Sequence, residues 1–186
     1  MSRAAYGPAM GFDAQAARER IAAMLYRQHY AAPLGGHAID KLRGLFGNAL
    51  DYAVGDRPAD FGLQRLTAAG HWVFVHGTSW TNKEWPESFW TILARRAVAA
   101  GKSVLLPWGN EKERQRAERI AAASGASVAV RQSLGAIAKV LASASAVVSV
   151  DSGLGHLAAA FGVPTVALFG PTDSAQPAAV AQPSPI

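Results

Sequence analysis

The chain has 186 residues, half of them hydrophobic and 17% charged, which argues against disorder and leaves room for one ordinary domain or one domain and part of another. No apolar run reaches the roughly 18 residues of a membrane-spanning helix, and the absence of cysteine removes disulfide frameworks and thiolate metal sites. The formal charge of +5 suits an anionic ligand or an anionic membrane surface, and equally a plain basic protein.

In chain order, Asp13 is placed to cap a helix over 13–26, with Ala16, Ile21, Met24 and Leu25 as its apolar face. AAPLGG breaks that helix. A second is predicted over 37–50, with Ile39, Leu42, Phe46 and Leu50 facing inward, and 55–61 reads as a linker. From Trp72 the pattern changes to short β-branched runs at 72–76, 103–107, 127–130, 146–150 and 165–169. Helices are expected between them at 86–100, 111–123, 133–143 and 154–161. Alternation of this kind predicts an α/β domain, a Rossmann-like parallel sheet with helices on both faces and its strand-end loops on one edge. The predicted divisions are 1–66, a helical part and linker, 67–173, the α/β domain, and 174–186, a disordered Ala/Gln/Pro/Ser tail. The N-terminus lacks an apolar signal core, so a cytoplasmic chain is expected.

The chemistry is expected in the strand-end loops. Strand 146–150 runs into Asp151-Ser152-Gly153 and then a short helix, so its backbone N–H groups are placed to hold phosphate. The loop after the first strand offers Thr78 and Ser79 hydroxyls and the Lys83 ammonium to phosphate oxygens. The loop after the second strand precedes a helix bearing Glu111 and Glu113, and a carboxylate there suits ribose hydroxyls. Each residue also has a plainer reading. Glu113 fits compensation of the helix dipole, Lys83 a solvated lysine, Asp151 an N-cap, and His156 a partly buried imidazole. Trp85 and Trp90 fit packing better than ligand stacking. One further pattern, Gly153-Leu154-Gly155-His156-Leu157-Ala158 with Asp173 beyond it, matches a dinucleotide fingerprint and would imply an oxidoreductase domain. Against that stands its place at the fourth strand of the domain rather than the first.

Three segments, HGTSWTNKEWPESFW, LLPWGNEKER and VVSVDSGLGHLAAAFGVPTVALFGPTD, together resemble the C-terminal, donor-binding half of the type I lipopolysaccharide heptosyltransferases of glycosyltransferase family 9. The resemblance is extensive over 72–173 and extends over GFDAQAARERIAAMLY and HAIDKLRGLFGNAL, which are similar to the last helices of the family's N-terminal domain. It implies half of a GT-B fold and inverting transfer of heptose from ADP-heptose to a Kdo–lipid A acceptor at the cytoplasmic face of the inner membrane. No cofactor, metal or nucleic acid is implied. Carried over by position, Thr78, Ser79 and Lys83 meet the donor's phosphates and sugar, with Lys83 also offsetting charge on the departing ADP. Glu113 holds the ribose, and Gln132 lies beside the adenine. Asp151, Ser152, Gly153, Leu154 and His156 close around heptose and pyrophosphate. Trp80, Thr81, Asn82 and Gln132 depart from the family's pattern. The resemblance places a glycine-rich loop and the catalytic aspartate in a first domain preceding this stretch. The expectation is therefore a fragment, and a non-catalytic ADP-sugar-binding remnant is the alternative.

Overall fold

The computed structural model describes residues 7–17, 19–32, 38–55 and 60–170. They fall into two compact units, one ending at position 55 and one starting at position 60.

In the first unit, β1 (Met10–Phe12) and β2 (Gln28–Tyr30) pair in parallel, joined through a single-turn helix α1 (Arg20–Ala23). The helix predicted over 13–26 is therefore mostly absent. The Asp13 carboxylate accepts from the backbone N–H groups of Gln15 and Ala16 at 3.0 and 2.8 Å, so the aspartate closes a turn instead of starting a long helix. The Asp13 amide is bonded to the Tyr30 carbonyl in the strand pair, a tertiary constraint that overrides local helix propensity. Helix α2 (Ala38–Leu50) forms as expected. The two predicted inward faces are not buried: Ile21 and Met24 are 77% and 82% exposed, and Leu42, Phe46 and Leu50 are also exposed. Positions 56–59 of the expected linker, the last three residues of the expected domain (171–173) and the expected tail (174–186) lie outside the described residues.

The second unit is a five-stranded parallel sheet in the order β5-β4-β3-β6-β7. Its strands are β3 (His71–Val75), β4 (Ser103–Leu106), β5 (Ser127–Val128), β6 (Ala146–Val150) and β7 (Thr165–Leu168). Its helices are α3 (Glu87–Ala99), α4 (Glu111–Ser124), α5 (Leu134–Ala142) and α6 (Gly153–Ala160). All five predicted strands and four predicted helices of this region are present, with ends shifted by a residue or two.

Period-two alternation divides the strand side chains between two cores. Phe74, Val104, Leu106 and Val150 pack with Trp90 and Ala94 of α3 and Ala117 and Ile120 of α4. Val73, Val75 and Val147 pack on the other face with Ile137 and Leu141 of α5 and Ala158 of α6. Helices thus cover both faces, as a sheet of β-branched runs buried on each side requires. The chain winds outward from β3 through β4 to β5, then returns to lay β6 on the far side of β3. The switch point falls between β3 and β6, and their loops part there to open a crevice at the carboxyl ends of the strands.

Candidate functional site

At that crevice lies a cleft of about 850 Å³, and every residue that the resemblance assigns to the donor lines it, whereas Glu111, Trp85 and Trp90 do not. The loop after β3 brings Gly77, Thr78, Ser79, Trp80 and Lys83, the loop after β4 brings Pro107, Trp108 and Gly109, and α4 brings Glu113. The segment after β5 contributes Ala129, Val130 and Gln132; the turn after β6 and the start of α6 contribute Asp151, Ser152, Gly153, Leu154 and His156.

The Asp151 carboxylate, 6% exposed, is the centre of the polar end. Lys83 Nζ lies 2.6 Å from Asp151 Oδ2, and His156 Nε2 lies 3.5 Å from Oδ1. Thr78 Oγ1 donates to the Asp151 carbonyl at 3.4 Å, tying the β3 loop to the β6 loop across the switch point. Asp151 is not the N-cap of α6. That role belongs to Ser152, whose Oγ accepts from the Gly155 N–H at 3.3 Å and lies 3.0 Å from Ser149 Oγ. With Gly155 N–H engaged, the amides of Gly153 and Leu154 in the first turn have no intrahelical acceptor, and the helix dipole adds positive potential there. Lys83, 24% exposed at its side chain, is half-buried in an ion pair and so is not the freely solvated lysine of the plainer reading.

The opposite end is built around Glu113. Its Oε2 accepts from the Gly109 N–H at 2.7 Å, while the Glu113 amide is capped by Asn110 Oδ1 at 2.9 Å. A Cβ on Gly77 would stand 2.5 Å from the Glu113 carboxyl carbon, so the absence of a side chain at 77 is what lets the carboxylate reach the cleft. Beside it, Trp108 Nε1 donates to the Ala129 carbonyl at 2.7 Å, holding the β4 and β5 loops together. Trp108, Val130, Leu134 and Ile137 give this end an apolar wall, with Gln132 exposed at its margin. The cleft thus offers an ammonium–carboxylate pair and unbonded amides on the β6 side and a carboxylate with an aromatic wall on the β4 side, a lining suited to an elongated ligand with phosphates and a flat ring. Among the described residues no group of three His, Asp or Glu is arranged to hold a metal ion.

Trp85 and Trp90 do pack, edge to face with ring centroids 5.1 Å apart, in the core under α3 and α4, and neither lines the cleft. Gly155 and Ala158 of the fingerprint-like pattern serve packing: a Cβ on Gly155 would stand 2.6 Å from Ser149 Oγ, and Ala158 is fully buried. Asp173 lies outside the described residues. His76 and Arg116 were not singled out from the sequence. His76 is fully buried under Trp90, neither ring nitrogen has a partner, and burial, aided by the nearby Arg116 charge, lowers its pKa to about 4. The available signal was strand alternation, which puts His76 on the same inward face as Phe74. Arg116, 8% exposed, joins Glu84 and the Trp85 carbonyl behind the cleft, and no periodicity announced it.

The sequence matches the profile of Glycosyltransferase family 9 (heptosyltransferase) over residues 1–183. It is 49% identical over 173 residues to lipopolysaccharide heptosyltransferase 1 of Pseudomonas aeruginosa, a match covering 89% of this chain and 49% of that protein. It is 36% identical to the Escherichia coli K12 protein of the same name, covering 93% and 57%. Among solved structures, E. coli heptosyltransferase WaaC with ADP superposes with a TM-score of 0.83 at 36% identity, covering 92% of this chain and 56% of that one. The same enzyme with ADP-2-deoxy-2-fluoro heptose gives a TM-score of 0.82 at 35% identity, covering 95% and 59%. The chain spans about half the length of the curated relatives it matches.

Proposed function

Since the chain belongs to glycosyltransferase family 9, the heptosyltransferases, we propose that its cleft binds an ADP-heptose donor and forms the donor half of an enzyme that transfers heptose to the Kdo–lipid A inner core of lipopolysaccharide. The observation that carries this reading is the convergence of Lys83, the Asp151 turn, the α6 N-terminus and Glu113 on one cleft at the switch point of a parallel sheet.

In this reading the diphosphate lies across the free amides of Gly153 and Leu154 and draws on Lys83, Thr78 and Ser79. The ribose meets Glu113, and the adenine lies against Trp108 and Val130 near Gln132. Asp151, Ser152 and His156 face the sugar. Lys83 is the catalytic residue of this half, because a fixed ammonium beside the leaving phosphate offsets the charge that develops as the glycosidic bond breaks. The membrane-bound acceptor and contact with the inner-membrane surface belong to the same proposal. No helix among the described residues is long and apolar enough to cross a membrane.

Calorimetry with ADP, ADP-heptose and NAD tests the reading. ADP and ADP-heptose are expected to bind, with NAD no tighter than ADP. Tighter binding of NAD would favour the dinucleotide reading of the Gly153–Ala158 turn and remove the heptosyltransferase assignment of the cleft.

A further inference from the structure

We propose that Arg116 is a positioning residue for Lys83, bracing the turn that carries the lysine without itself entering the cleft. This rests on the reading that Lys83 meets the donor's phosphates. Lys83 ends a 3₁₀ turn (Thr81–Lys83) in which the Lys83 and Glu84 amides donate to the carbonyls of Trp80 and Thr81. A single such turn is a poor anchor for a side chain with four rotatable bonds. The two residues that follow it are gripped from α4. Arg116 Nη1 lies 3.2 Å from Glu84 Oε2, Arg116 Nη2 donates to the Trp85 carbonyl, and Lys112 Nζ lies 3.2 Å from Glu84 Oε1. These side chains face a separate hollow behind the turn, and neither Glu84 nor Arg116 lines the cleft.

The geometry couples the two ends of the site. Glu113 and Arg116 sit three residues apart on α4, so one rigid helix presents a carboxylate to the cleft and a guanidinium to the back of the Lys83 turn. Stability alone is a weak reason for this arginine. It is 8% exposed and its Nε–H is buried with no acceptor, an arrangement that costs free energy and that an apolar side chain of similar size would avoid. A bidentate fork that fixes two successive residues next to Lys83 is what methionine or leucine could not supply.

The test is a double-mutant cycle read by ADP affinity, with thermal unfolding reporting that each variant folds. Wild type, Lys83→Ala, Arg116→Met and the double variant are compared, with Glu84→Gln and its own double variant as a milder second cycle that keeps the fold should Arg116→Met not. Arg116→Met is expected to weaken ADP about tenfold when Lys83 is present and by less than about twofold in the Lys83→Ala background, since its effect passes through the lysine. Arg116→Lys, which cannot grip both groups, should not restore affinity. Equal losses in both backgrounds, or no loss when Lys83 is present, would overturn the brace while leaving the donor reading intact. A wild-type chain that does not bind ADP would overturn the donor reading and the brace with it, and a Lys83→Ala chain that binds it unchanged would overturn the role of Lys83 and the brace.

Discussion

Three residues of the second unit, Lys83, Asp151 and His76, show how burial sets chemistry at the scale of a single side chain. Lys83 and Asp151 form a short, half-buried ion pair within the cleft, so removing the lysine leaves a carboxylate with 6% exposure beside His156 alone. Lys83→Ala is expected to weaken ADP-sugar binding by about 1–3 kcal/mol, the range for charge-assisted hydrogen bonds, and unchanged affinity on calorimetry would return the lysine to a structural role. His76 gives a pH signature. Its pKa is lowered from 6.5 to about 4, first by desolvation and then by Arg116, with Glu87 and Glu84 opposing. Between those values the unfolded chain takes up a proton that the folded chain refuses. The contribution is therefore fully present above about pH 6.5 and is lost as pH falls toward 4. A pKa gap of about 2.5, at about 1.4 kcal/mol per unit, amounts to on the order of 3 kcal/mol. His76→Leu should flatten the fall in Tm between pH 6.5 and 4; a variant whose Tm falls as steeply as wild type would place the titration elsewhere.

Among the elements, β6 and α6 are the most tightly constrained pair. The chain turns from strand to helix within two residues, Asp151 and Ser152, and the helix approaches closely because Gly155 has no side chain over Ser149. A methyl group at 155 would stand 2.6 Å from Ser149 Oγ and 2.9 Å from Ser149 Cβ. Gly155→Ala should destabilise the unit by about 1–3 kcal/mol in chemical denaturation through overpacking. Adding Ser149→Gly should recover part of that loss, and no recovery would mean that the clash is not the cause. Helix α4 supports the site differently. Its N-terminus is fixed by the Asn110 cap and its C-terminus by Gly125 in a left-handed conformation, φ 80°. Glu87 of α3, its carboxyl held below the usual range chiefly by its hydrogen bonds from Arg119, ties α3 to α4.

For the whole molecule, the cleft holds two carboxylates, and both are occupied. Asp151 is paired with Lys83, and Glu113 accepts from the Gly109 amide. Inverting transfer needs a base within hydrogen-bond reach of the acceptor hydroxyl and opposite the leaving phosphate. Asp13, whose carboxylate closes a turn through the Gln15 and Ala16 amides, is likewise engaged. The 186-residue chain alone is therefore expected to bind ADP-heptose yet to form no product with a Kdo-bearing acceptor. Heptose transfer that persisted after removal of any contaminating enzyme would require a base within this chain.

The sequence by itself determined the second unit. Strongly β-branched runs at regular spacing and capped helices between them leave little choice but a parallel sheet covered on both faces, and turn residues at strand ends mark where the ligand groups cluster. It also carried the resemblance to the heptosyltransferases, because the loops after β3, β4 and β6 retain recognisable residues in order. Only the tertiary structure decided the rest. The first unit departs from its local pattern: residues 13–26 carry helical periodicity, whereas the pairing of β1 with β2, about eighteen positions apart in register, is non-local and invisible to a sliding window. The Lys83–Asp151 pair spans 68 residues, and the Arg116 grip on Glu84 spans 32, so neither leaves a spacing to find. Whether a charged side chain is solvated, paired or buried depends on which strands become neighbours, and β3 meets β6 only after the chain has crossed the sheet and returned.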